Sequence, residues 1–96
     1  MGGLKMISLE DVEDMSALTR AEIEALAEHD RISTFDAALM GDYMMHEHHG
    51  PQRVHEMICD DIRIALHKDD LKHARELFAV LRGFLAEHPE AARGMD

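Results

Sequence analysis

The chain has little of what builds a sheet protein or a cross-linked one. Tryptophan is absent, and Phe35, Tyr43, Phe78 and Phe84 are the only large aromatic residues among 96. A core must therefore come from Leu, Ile, Met and Ala, which suits packing between helices better than a sheet. A single cysteine, Cys59, excludes an intrachain disulfide. It leaves either a free thiol or a pair between two chains, and the lack of a disulfide framework points to a reducing, cytoplasmic setting. Prolines occur only at positions 51 and 89. No apolar run approaches the roughly 18–20 residues of a membrane span. Met1–Glu10 lacks the apolar core of a secretory signal. Met6 stands where a myristoylated Gly2 would need Ser or Thr. No leader, lipid anchor or membrane association is expected.

Positive charge is also scarce. The formal net charge is −10 with histidines neutral. Residues 1–50 hold three Lys/Arg against eleven Asp/Glu, or −8, and residues 51–96 hold seven against nine, or −2. Such a field repels a nucleic-acid backbone and an anionic lipid surface. A basic protein partner or a cation is compatible with it. The length fits one small domain over 1–96, with 1–7 as a flexible start and 89–96 as a frayed tail. A chain of this size buries only about 60–65% of its unfolded surface, so stability has little margin.

What is present is helix signal from end to end. Ser8 precedes Leu9-Glu10-Asp11, a cap with an acidic first turn, and predicts a short helix over about 9–17. Thr19 stands three residues before Glu22, the spacing of a capping box. In the helix that follows, Ile23, Leu26 and Ala27 share one face, with Glu24 and Glu28 toward solvent. Ser33 and Thr34 can cap a helix over about 34–48. Phe35, Ala37, Ala38, Leu39, Met40, Tyr43, Met44 and Met45 make that helix apolar nearly all round, so it is either central or shared with a second subunit. Gly41 permits a close helix approach.

Gly50-Pro51 is punctuation: a glycine for the left-handed stop and a proline for the first turn of a helix over about 51–67. Val54, Met57, Ile58, Ile62, Ala65 and Leu66 form its stripe. Asp69 or Asp70 caps the last helix, about 70–88, with the stripe Leu71, Ala74, Leu77, Phe78, Leu81, Phe84 and Leu85 before Pro89 stops it. Short connections predict an all-α fold, a small antiparallel bundle of four to five helices.

Chemistry-bearing residues concentrate in one place. Four of the eight histidines, three of the eight methionines and Cys59 fall within residues 44–59. Asp42, His46 and His49 sit at i, i+4 and i+7, one face of an ideal helix, with His55 as a further ligand. Two imidazoles and a carboxylate can hold a divalent transition metal such as zinc, nickel or copper. Against that, histidines in a last helical turn are favoured by the helix dipole alone. His55-Glu56-Met57-Ile58-Cys59 starts like a zinc-protease motif but has Cys59 in place of the second imidazole. No Glu-x-x-His pair supports a di-iron bundle. No catalytic residue is assigned, and Asp70 with His73 reads as an exposed first-turn pair. The leading reading is a small acidic interaction or accessory protein, homodimeric through Phe35, Leu39, Met40 and Met44. The alternatives are a metal-binding helical protein using Asp42, His46, His49 and His55, and a small enzyme.

Overall fold

The computed structural model describes Asp11 and residues 16–93. Among these the chain forms α1 (Arg20–Asp30), α2 (Thr34–Met45), α3 (Gly50–His67), α4 (Leu71–Glu87) and a closing 3-10 turn at Pro89–Ala92, with no strand. The fold is all-helical, as the composition requires. The helix expected over 9–17 and the start at 1–7 lie largely outside the described residues.

Helix α1 begins on the capping box. The Glu22 N–H donates to Thr19 Oγ1 at 3.2 Å, and the Thr19 N–H donates to Glu22 Oε1 at 2.9 Å. Two amides that the helix itself cannot satisfy thus find acceptors. Thr19→Ala should lower the unfolding free energy by roughly 0.5–2 kcal/mol. Chemical denaturation measures it, and an unchanged midpoint and slope would mean the cap contributes nothing.

Ile23 and Leu26 are fully buried against Val54 and Ile58 of α3 and Phe84 of α4, the largest fully buried side chains. Helix α2 presents small residues to this core. Ala37, Ala38 and Gly41 are buried, and a β-carbon on Gly41 would meet the Leu18 and Leu26 side chains at 2.5 and 2.9 Å. Here the glycine does permit close approach.

Three expectations are adjusted. Helix α2 stops at Met45, not 48, because His46 N–H and Glu47 N–H turn to the i−3 carbonyls of Tyr43 and Met44, at 3.1 and 2.9 Å. Such tight bonds close a helix instead of extending it. Next, Gly50 is not a left-handed stop; among the described residues other than glycine, the left-handed ones are Arg31 and Asp69, each at φ 57°. Gly50 opens α3, pressed against the Met44 carbonyl. Last, Pro89–Ala92 of the expected tail form a 3-10 turn packed on the domain. Ala91 is fully buried, and the Gln52 amide donates to the carbonyls of Glu90 and Arg93 at 2.9 and 3.2 Å.

Candidate functional site

The expected i, i+4, i+7 face of Asp42, His46 and His49 does not form, because α2 ends before His46. His46 caps the helix, and its Nδ1–H donates to the Asp42 carbonyl oxygen at 2.7 Å, leaving only Nε2 as a ligand atom. His49 has moved into the turn, its ring 4.1 Å from that of His48. His55 is half-buried on α3, with Nδ1 buried and unpaired, and Asp42 Oδ1 is likewise buried and unpaired. Among the described residues, no three His, Cys, Asp or Glu side chains converge in a way that could hold a metal ion. Cys59 packs against the core. Burial pushes its thiol above the ordinary value, with Arg63 acting the other way, which is the reverse of nucleophile activation.

A different cluster joins three helices. Glu28, His29 and Asp30 end α1, Asp60 and Asp61 lie on α3, and His73 and Glu76 lie in the first turns of α4. His73 Nε2 is 2.8 Å from both oxygens of Glu28, and its Nδ1 is 3.2 Å from Glu76 Oε1. His29 Nδ1 is 2.9 Å from Asp30 Oδ1, and its Nε2 is 3.6 Å from Asp60 Oδ2. A neutral imidazole can donate from only one nitrogen, while carboxylates only accept, so each ring is best satisfied as the imidazolium. Asp61 sits beneath these pairs, 6% exposed, with Oδ2 buried and unpaired. His73 thus does more than pair with Asp70, whose Oδ1 accepts from the His73 backbone N–H at 3.2 Å.

No motif marks this cluster, since its members come from three separate stretches. One signal was legible: Val54, Ile58, Asp61 and Ala65 follow i, i+4, i+7, i+11, so a carboxylate occupies the buried stripe of α3.

The electrostatics of the cluster have one direction. The hydrogen bonds to Glu28 and then Glu76 raise the His73 pKa. Burial lowers that of His29, but the Asp30 hydrogen bond and the Asp61 charge outweigh it and the net shift is upward. Burial raises Asp61 from the carboxylate range, against the pull of His29. Burial also raises Glu22, against its bond to the Thr19 amide.

For groups whose folded pKa lies above the unfolded one, the stabilising contribution is complete below the unfolded value. It is lost as pH rises through the folded value. His29 and His73 should therefore make the fold more stable at pH 5.5 than at pH 8. Asp61 and Glu22 should extend the gain toward pH 4. Thermal melts across this range read the effect, and His29→Gln/His73→Gln should flatten its upper part. A wild-type melting temperature independent of pH would contradict the pairing.

Among the described residues, large apolar side chains besides Ile64 are exposed on two surfaces. On α2, Leu39 is 49% and Tyr43 67% exposed, one turn apart, with half-buried Phe35 a turn earlier. Met40 is half-buried, and Met44 is buried inside the chain. Between α3 and α4, Ile62, Leu66, Leu71, Ala74, Arg75 and Phe78 line a shallow trough, with Leu66, Leu71 and Phe78 about half exposed. No helix is long and apolar enough to cross a membrane, among the residues described. No protein-family model, curated protein or solved structure matches the chain.

Proposed function

We propose that this chain is a small acidic helical interaction protein that acts as a homodimer, with the outer stripe of α2 at the contact. The carrying observation is the exposure of Leu39 and Tyr43 on consecutive turns of α2. Large apolar side chains left in water on one helix face are what an interface covers. Phe35, Leu39 and Met40 remain candidates for the contact. Tyr43 takes the place of Met44, whose side chain serves the core. The connections at 31–33, 46–49 and 68–70 are short, which supports antiparallel packing of successive helices. The lone unpaired cysteine fits a reducing, cytoplasmic setting.

Sedimentation equilibrium at micromolar concentration should give a dimer mass for the wild type. Leu39→Glu/Tyr43→Glu should give a folded monomer. A wild-type monomer would sink the reading. The metal-binding alternative keeps the support of two buried, unpaired atoms, Asp42 Oδ1 and His55 Nδ1. Among the described residues it lacks three ligand groups gathered in one place.

A further inference from the structure

Helix α4 carries an unusual outer face for so acidic a chain. At 100° per residue, Leu71, Lys72, Arg75, Phe78, Ala79, Arg82, Gly83 and Ala86 fall on one side, opposite buried Leu77, Leu81 and Phe84. That side holds three cations and no carboxylate. The two carboxylates of α4 border that side along its α1 edge: Glu76 bonds His73, and Glu87 shares the α1–α4 groove with Glu22, Ala79 and Gly83. Among the described residues, Lys72, Arg75 and Arg82 make no ion pair. Leu71 and Phe78 continue this face into the trough with Ile62 and Leu66 of α3. The result is an apolar strip edged with positive charge, on a chain whose net charge is −10.

Helix α2 is its counterpart. Residues 34–45 contain no Lys or Arg, and exposed Asp36 and Glu47 lie at the two ends of the Phe35–Leu39–Tyr43 stripe. It is an apolar strip edged with negative charge. The two strips cannot cover each other within one chain. Helix α2 packs on α1 and α3, while α4 packs on α1 and α3 from its own side.

We infer that the α2 stripe of one copy docks on the α3–α4 trough of a second copy. This rests on the homodimer reading and specifies its counter-surface. A two-fold arrangement uses the contact twice and closes the assembly. Apolar area drives the association, while Asp36 and Glu47 against Lys72, Arg75 and Arg82 fix its orientation.

A charge exchange tests this. Arg75→Glu/Arg82→Glu should weaken dimerisation by about tenfold or more in sedimentation equilibrium, since like charges would face each other. Asp36→Lys/Glu47→Lys should do the same. Mixing the two variants should restore a dimer tighter than either variant forms alone, because one contact of the mixed pair is then wild type on both sides and in the other the reversed charges face each other, with Lys72 alone unreversed. Circular dichroism melts confirm that each variant is folded, and restoration on mixing is itself proof of folding. If wild type dimerises and Leu39→Glu/Tyr43→Glu abolishes this, but Arg75→Glu/Arg82→Glu does not, the trough is not the counter-surface. The homodimer reading would then stand without it. Failure of the mixture to reassociate overturns the inference as well. A monomeric wild type removes both.

Discussion

Gly50→Ala is expected to lower the unfolding free energy by roughly 3 kcal/mol, at the upper end of overpacking costs. A β-carbon on Gly50 would overlap the Met44 carbonyl oxygen and stand 2.5 Å from its carbon. Both are backbone atoms, so no change of rotamer relieves the overlap. Either α2 or the start of α3 must shift. Met44 and Val54 are both buried, so that shift would disturb the core on two sides. Gly83 provides the contrast. It lies inside α4 with nothing within 4 Å of its would-be β-carbon. Gly83→Ala should raise stability by roughly 0.5–1 kcal/mol, because alanine loses less backbone freedom in a helix. Urea unfolding with matched slopes compares the three proteins. Equal and small effects would mean that the 46–49 turn tolerates a second path.

Phe84→Ala should cost about 3–5 kcal/mol. The ring is fully buried in the same cluster as Ile23, Leu26, Val54 and Ile58 and stands 5.0 Å from the His88 ring. It therefore links α1, α3, α4 and the start of the closing turn. A domain of this size has on the order of 5–10 kcal/mol of stability in total, so the loss takes a large share. The melting temperature should fall by roughly 15–30 °C. Phe78, on the same helix, is about half exposed. Phe78→Ala should change monomer stability by less than about 1 kcal/mol while weakening self-association. Similar losses of stability for both variants would show that Phe78 is a core residue and that the trough is not open.

The elements most legible in the sequence were those marked by local chemistry. The Thr19–Glu22 box and the Ser33 cap form as their spacing indicates, with the Asp36 N–H donating to Ser33 Oγ at 3.0 Å. Asp70 was one of two residues named for the last cap, and it is the one used. The apolar stripes were right for Val54, Ile58 and Ala65 of α3 and for Ala74, Leu77, Leu81 and Phe84 of α4, and misled at Leu66, Leu71 and Phe78. Leu66 and Leu71 match the helical period yet remain about half exposed. Periodicity states which face a residue occupies, not whether another element covers that face.

The candidate site was less legible, for reasons that can be named. The spacing of Asp42, His46 and His49 meant one face only if α2 continued to residue 48, and helix ends are set by local hydrogen bonds that spacing does not reveal. Met44 looked like an interface residue because α2 is apolar all round, but its rotation about the core was unknown. The His29–Asp61–His73 cluster escaped because its members meet only after α1, α3 and α4 pack.

The helical class, the caps and the acidic field could be read from residue order, since composition, i to i+3 chemistry and charge counts are local quantities. The tertiary structure alone decided which apolar residues stay in water, which glycine is sterically required and which histidines face carboxylates. Each of these depends on the rotation and offset of one helix against another, and those are set by the packing of the whole core.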